Sequence, residues 1–297
     1  MNLQTDSFLE YLKSERNYSP ATIESYAKDL AEFRNFLEGQ RLEPQWADVK
    51  ADDVREWVIS MLDEQKLTAS SVNRTLSALR TCYKYLRKME VVKANPMEKV
   101  VAPKKKRPLP YFVRESDMDK LLELTAEDKT FKGVRDRLIL LMFYETGIRR
   151  AELLGLTDAS VDLKAKQIKV TGKRNKQRIV PFGDELEAGL LAYLDFRKTK
   201  TGLSNAPALF ITEEGKPLNE AQVSRIVKDN LSMVTTMKKR SPHVLRHSFA
   251  TAMLNNKADL TSIQKLLGHE SVATTEVYTH VSFEDLKNEY KNAHPRK

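Results

Sequence analysis

The sequence predicts a mainly α-helical protein with a small antiparallel β-sheet, divided into two domains, on three observations. Apolar residues recur at helical spacing through most of the chain. Only "KQIKVTGKRNKQRIVPF" alternates with period two on either side of a turn. The stretch "APKKKRPLPYF" at 102–112, with three prolines and four consecutive cations, cannot continue a helix and marks a boundary. The predicted organisation is a helical domain over 1–102, a basic linker over 103–111 and a mixed domain over 112–297.

The elements follow in order. In "YSPATIESYAKDLAEFRNFLE", Ser19 reads as an N-cap and Pro20 as the first helical residue. Ile23, Tyr26, Leu30, Phe33 and Leu37 then form one stripe. A second helix is read near Asp52–Leu62. A third, in "SSVNRTLSALRTCYKYLRKM", has its stripe at Val72, Leu76, Leu79, Tyr83 and Leu86. In the second domain, "DRLILLMFYETGIRRAELLGL" reads as a largely buried helix interrupted at Gly147 and restarting over Arg149–Leu156. The hairpin turns through Gly172–Lys176 and returns at Ile179–Val180, with short β segments expected near Leu209–Ile211 and helices from there to Lys291.

Composition narrows the function classes. The 297 residues, 41% hydrophobic and 31% charged, suit two cores and exclude a disordered chain. One cysteine, Cys82, excludes an internal disulfide framework and fits a reducing compartment. The N-terminus shows no secretory pattern, and no apolar run approaches the roughly 20 residues a membrane span needs. A soluble cytoplasmic protein without a membrane partner is expected.

Charge is unevenly placed. Residues 1–65 carry 7 Lys/Arg against 14 Asp/Glu, residues 66–107 carry 12 against 2, and the remainder 31 against 25. A belt of net +10 attracts a polyanion. Part of it lies on one side of the third helix, at Asn73, Ser77, Arg80, Lys84, Arg87 and Lys88. The rest is the run Lys104, Lys105, Lys106 and Arg107. Cations interleaved with Asn and Ser suit phosphate and base-edge contacts to DNA. A solvated helix face is the plainer reading of the same pattern. The run at 104–107 also resembles a nuclear-import signal, but a basic strap beside a phosphate backbone is preferred.

The chemistry-bearing residues cluster around "SPHVLRHSFA". His243 and His247 four apart suggest a metal, whereas His243 and Arg246 three apart suggest a phosphate. The metalloprotease pattern needs a glutamate directly after the first histidine, and Val244 stands there. Cysteine ligands are nearly absent and the other histidines are His269, His280 and His294, so no metal ligand is assigned. Around a phosphodiester, by contrast, a guanidinium forks onto two oxygens and an imidazole bonds a third or relays a proton. Arg149 opens a helix in an apolar surround and needs an anion partner; Glu152, three residues on, reads either as a partial counter-ion or as a group that orients the guanidinium. Lys173 sits at the hairpin tip, where Arg174 and Lys176 compete with it. Gly268 ends a helix, His269 follows, and Tyr278 taken alone reads as half-buried core.

The blocks "TGIRRAELLGL", "VTGKRNKQRIVPF", "SPHVLRHSFATAML" and "LLGHESVATTEVYTHV", in this order and at these intervals, resemble the tyrosine site-specific recombinase (integrase) family, most closely its Xer branch. The likeness runs through nearly the whole chain to "NAHPRK". Many relatives read Leu-Arg-x-Ser-Glu where this chain has Ile148, Arg149, Arg150, Ala151 and Glu152, while the preceding glycine and the glutamate keep their spacing. The resemblance implies a C-shaped clamp on duplex DNA, with a SAM-like helical N-terminal domain and a mixed DNA breaking-rejoining domain. It further implies Tyr278 as nucleophile, Arg149 and Arg246 on the scissile phosphate, and Lys173 as general acid for the leaving 5′-oxygen. His243 and His269 would serve as proton relay and phosphate ligand. His247 has no role in that scheme and reads as support or packing.

The implied reaction retains the phosphodiester energy in a 3′-phosphotyrosine, so no cofactor, metal or ATP is expected. The implied partners are a double-stranded recombination site and a homo- or hetero-tetramer built on two such sites, with room for an accessory or activating protein. The resemblance implies that the segment after Tyr278, with a stripe at Phe283, Leu286 and Tyr290, reaches an adjacent protomer, and a helix docked on its own domain is the alternative. Dimer resolution and integration, excision or inversion of a mobile element are the two roles. A type IB topoisomerase, a non-catalytic DNA-binding protein and a metal-dependent hydrolase are the rivals.

Overall fold

The computed structural model describes residues 2–40, 43–104, 111–172, 175–201, 207–268 and 283–296. The chain divides into two compact units, Met1–Pro108 and Leu109–Lys297, each with its own core.

In the first unit, four helices are set by caps and stripes: α1 (Asn2–Ser14), α2 (Pro20–Glu38), α3 (Ala51–Asp63) and α4 (Ala69–Lys88). Ser19 caps α2 by accepting from the Thr22 amide, and Thr68 caps α4 by accepting from Ser71. The expected stripes are buried: Leu30, Phe33 and Leu37 on α2, and Val72, Leu76, Leu79, Tyr83 and Leu86 on α4. Ile23 and Tyr26 pack at the core's edge. Phe33 packs at a tilt against Trp57, their ring centroids 4.7 Å apart, and the Tyr83 hydroxyl donates to the Trp46 carbonyl. Buried Asp29 accepts from Arg74 and Thr75, which ties α2 to α4 with a satisfied charge rather than an orphaned one. Helix α1, which the sequence reading did not delimit, adds Phe8 and Leu12 to this core.

The second unit holds α5 (Glu115–Ala126), α6 (Phe131–Thr146), α7 (Arg150–Leu154), β1 (Val161–Asp162), β2 (Gln167–Thr171), β3 (Gln177–Pro181), α8 (Asp184–Thr201), α9 (Glu220–Ser232), α10 (Pro242–Asn255), α11 (Leu260–Leu267) and α12 (Phe283–Ala293). Every residue of α6 from Leu138 to Thr146 is buried, so it is the axis on which α5, α8, α9 and α10 pack. Gly147 ends α6 at φ +59°. A Cβ there would also lie 2.5 Å from Phe249 Cδ1, so backbone and packing both require glycine. The restart is shorter than expected: Arg149 is the N-cap of α7, which stops at Leu154 because Gly155 ends it.

The hairpin is a three-stranded antiparallel sheet in the order β1-β2-β3, with the added β1 pairing Val161 to Ile168. Its register pairs Ile168 with Val180 and Val170 with Arg178, which puts Arg178 on the inward face beside buried valines. Near Leu209–Ile211 the described residues form only an isolated bridge, Ile211 to Pro217. No described helix is long and apolar enough to cross a membrane.

Candidate active site

Three arginines from three elements converge on the end of α11. Arg178, pointed inward by strand alternation, donates from Nε to the Leu266 carbonyl at 2.7 Å. Arg246, one turn into α10, donates from Nη2 to Leu267 O at 2.6 Å. Arg149, before α7, donates from Nη2 to Gly268 O at 2.8 Å. These are the carbonyls a helix leaves unpaired at its C-terminus, and the negative end of its dipole favours cations there. Arg246 also bonds the Gly147 carbonyl at 2.5 Å, so one guanidinium joins the ends of α6 and α11.

One acid balances the three. Glu152, 3% exposed, accepts from the Arg149 backbone N (2.8 Å), Arg149 Nη1 (2.8 Å), Arg178 Nη1 (2.7 Å) and Arg178 Nη2 (2.9 Å). Burial alone would raise its pKa. The hydrogen bonds from Arg178 and Arg149 outweigh burial and hold the carboxyl below its ordinary value. Arg246 is 6% exposed; burial first, then the charges of Arg149 and Arg178, lower it to about 10, which still leaves it charged at neutral pH. The ensemble carries two positive charges in excess.

The excess faces a cavity of about 290 Å³ whose wall includes Arg149, Arg246 and His243. Pro242 starts α10 and sets His243 at the solvent-facing rim. Crowding by neighbouring atoms, then the charges of His247, Arg246, Arg150 and Arg149, lower the His243 pKa. The ring is therefore mainly neutral at pH 7, able to accept or donate one hydrogen bond on each nitrogen. His247, read from the sequence as support or packing, is exposed, with its ring 6.4 Å from that of His243.

The structure thus brings Arg149, Arg246 and His243 together. Lys173, His269 and Tyr278 lie outside the described residues. Lys176, a competitor for the hairpin-tip role, is described and exposed. Sequence reasoning missed Arg178. The signal was the strand's own period, since Arg178 shares a face with Val180, and a cation on a buried face needs an acid partner.

On α4 the expected DNA-facing set divides. Ser77, Lys84, Arg87 and Lys88 are exposed and Arg80 is half-buried. Asn73 is a correction: it is 9% exposed and its Nδ2 donates to the Ala69 and Pro103 carbonyls at 2.7 and 2.8 Å. Its amide pins the start of the linker to α4 instead of facing a groove, because position 73 falls between the buried Val72 and Thr75–Leu76. Ser77 donates to the Asn73 carbonyl, Arg87 pairs with Glu98 at 2.9 Å, and Lys88 pairs with Glu15 at 4.0 Å. Such exposed pairs are worth little and yield readily to a phosphate. Lys104 is exposed, and Lys105, Lys106 and Arg107 lie outside the described residues.

The C-terminal helix, for which the sequence leaves docking on a neighbour or on its own domain open, seats on its own unit against α10, α11 and β3. Tyr290 and His294 are each 1% exposed, and their rings stack at 4.9 Å. His294 Nδ1 accepts from the Arg296 amide, which makes Nε2 the donor to Tyr144 O. Burial lowers this histidine to about 4, so it is a neutral core residue.

Residues 111–285 match the profile described as "Phage integrase family", and residues 5–90 the profile "Phage integrase, N-terminal SAM-like domain". The chain is 38% identical over 291 residues to tyrosine recombinase XerC of Staphylococcus epidermidis, covering 98% of this chain and 97% of that protein. It is 39% identical over 296 residues to tyrosine recombinase XerC of Staphylococcus aureus, covering 100% and 98%. In fold it is similar to the XerH site-specific recombinase bound to its difH substrate in a pre-cleavage complex (TM-score 0.69, 24% identity, 96% of this chain and 82% of that one). It is likewise similar to a lambda integrase (75–356) dimer bound to a COC′ core site (TM-score 0.70, 17% identity, 100% and 97%).

Proposed function

The chain belongs to the phage integrase family and is a tyrosine recombinase, and from that premise we propose that it exchanges DNA strands at a specific site through a covalent 3′-phosphotyrosine. The observation that carries the reading is the surplus of two positive charges, three arginines against Glu152, beside the cavity that His243 borders. A phosphodiester brings one negative charge and gains a second as a nucleophile adds to phosphorus. A preorganised surplus of this size therefore binds the transition state better than the ground state.

The roles follow from chemistry. A phenol with pKa about 10 is a poor nucleophile until its proton is removed and the phosphorus is made electrophilic. Tyr278 is the proposed nucleophile, Arg149 and Arg246 the ligands of the non-bridging oxygens, and Lys173 the acid for the leaving 5′-oxygen. His243 and His269 hydrogen-bond the phosphate and relay the proton. Neither a metal nor ATP is needed, because the phosphotyrosine preserves the bond energy for rejoining. The exposed cations Lys84, Arg87, Lys88 and Lys104 and the half-buried Arg80, with Ser77 and the run Lys105, Lys106 and Arg107, are proposed to grip the duplex backbone. Four subunits on two sites, and a Xer-type role, complete the proposal. The full-length likeness to two proteins named XerC supports that role.

The test is a nicked suicide duplex, taken from fragments selected by binding, incubated with protein in EDTA. Wild type is expected to give a covalent protein–DNA adduct and Tyr278→Phe none. Arg149→Ala and Arg246→Ala should each lower the rate about 10²–10³-fold. An adduct that persists in Tyr278→Phe reassigns the nucleophile, and loss of the adduct in EDTA alone restores the metal-dependent rival.

A further inference from the structure

The cavity wall holds a third arginine besides Arg149 and Arg246. Arg150, the first residue of α7, forms part of the same wall as Arg149, Arg246 and His243. Its Nη2 donates to Glu220 Oε2, at the first turn of α9, and its Nη1 donates to Ser224 Oγ at 2.7 Å. Ser224 Oγ in turn donates to the Glu220 carbonyl at 2.8 Å, so the serine fixes one edge of the guanidinium to the α9 backbone. The arginine and glutamate side chains are 38% and 60% exposed. A pair this exposed contributes at most about 1 kcal/mol to a fold.

Two features set it apart from an ordinary surface pair. Glu220 is the only acid among the described residues that line this cavity. Arg150 is placed beside two arginines whose charges repel its own, a position that costs energy unless an anion is present.

We propose that Arg150 is a further ligand of the DNA backbone beside the scissile phosphate, and that Glu220 stands in for that phosphate while no DNA is bound. Ser224 keeps hold of Nη1, so only Nη2 exchanges partners. The Glu220 carboxylate is left to solvent, where it is already largely hydrated. The exchange trades a weak exposed pair for a charge-assisted contact to phosphate and releases a counterion from the duplex. This reading rests on the proposed recombinase function, because it takes the cavity to be the phosphate site.

The experiment measures binding of a fluorescent duplex from the selected pool across a salt series, for wild type, Arg150→Gln and Glu220→Gln, with a melting temperature for each. Arg150→Gln is expected to reduce the slope of log K against log[salt] by about 0.9, the value of one lost phosphate contact. In the cleavage assay its loss should fall on the half-saturating DNA concentration rather than on the plateau rate. Glu220→Gln should retain the slope and bind about 2–5-fold tighter, because a competing carboxylate is gone. If both variants weaken binding and melting alike with the slope intact, the pair is only a tie between α7 and α9 and the proposal is overturned. Absence of an adduct in wild type would sink the recombinase reading instead, while the salt slope would still report on Arg150.

Discussion

Replacing Glu152 with glutamine tests the charge balance of the site most directly. The carboxylate is 3% exposed and takes four hydrogen bonds from two arginines. Glutamine preserves the shape, removes the charge and turns an NH₂ group toward a guanidinium, donor against donor. Removing one partner of a buried ion pair costs about 3–5 kcal/mol. Here the Arg149 side chain is 31% exposed and that of Arg178 16%, so water takes over part of the lost solvation and about 2–3 kcal/mol is expected. In a unit of this size each kcal/mol moves the melting temperature by about 2–4 °C, which predicts a fall of about 4–12 °C in calorimetry.

The pH profile adds a second signature. Glu152 is held below its ordinary pKa in the folded state, so its stabilisation is complete above the usual glutamate range. It is lost as pH falls through the lowered folded value. Wild type should therefore show an acid limb that Glu152→Gln lacks. The same variant frees Arg149 from its clamp and should slow adduct formation. A variant that melts within a degree or two of wild type, with the acid limb unchanged, would refute the assignment of Glu152 as the shared counter-ion.

Three further outcomes follow from the same structure. Gly147→Ala meets a positive φ and a Cβ 2.5 Å from Phe249 Cδ1 and 2.8 Å from Leu267 Cδ2. A loss of about 2–5 kcal/mol should appear in denaturant unfolding, with slower cleavage because the Gly147 carbonyl anchors Arg246. Glu145, fully buried with Oε1 unpartnered among the described residues, is raised by burial to about 8. A folded pKa above the unfolded one means that stability falls as pH rises from about 5 to about 8. Glu145→Gln should flatten that decline and melt higher than wild type at pH 8. His243 has a lowered pKa in the free protein and gains an anion when DNA binds. Titration of DNA affinity between pH 7 and pH 6 should show tighter binding at the lower pH, and His243→Gln should remove the trend.

What could be read in the sequence is what is local along the chain. Ser19 with Pro20, the α4 stripe and the glycine that stops α6 each act within one or two turns, so spacing alone exposes them. Asn73 shows where that logic ends. Its helical angle places it near the basic face, yet the linker folds back and takes its amide through Pro103, a contact 30 residues away. The C-terminal stripe is a similar case. Its apolar spacing says that Tyr290 must be covered, and only the packing shows α12 seated against α10, α11 and β3 with the Tyr290 hydroxyl on Glu145 of α6.

The arginines make the physical reason plain. Arg149 and Arg246 were legible because each stands in a block whose spacing resembles a known family. Arg178 stands in a strand, and the acid that explains it lies 26 residues away on another element. Nothing in the residues near 178 announces Glu152, but electrostatics restricts the outcome. An inward-facing guanidinium needs a buried acid, and the hairpin returns past the start of α7, where Glu152 is the acid available. The hydrogen bonds of Glu152 go to Arg149 and Arg178, so its charge reaches Arg246 only through space, and Arg246 bonds helix-end carbonyls instead. Carbonyls supply partial charge only, so the site stays cationic whatever the precise rotamers. A cationic site of this kind, built into the interior of a unit and open to a cavity, is stable only because its guanidiniums are hydrogen-bonded in the absence of substrate, and it reaches its lowest electrostatic energy when an anion with several acceptor oxygens enters.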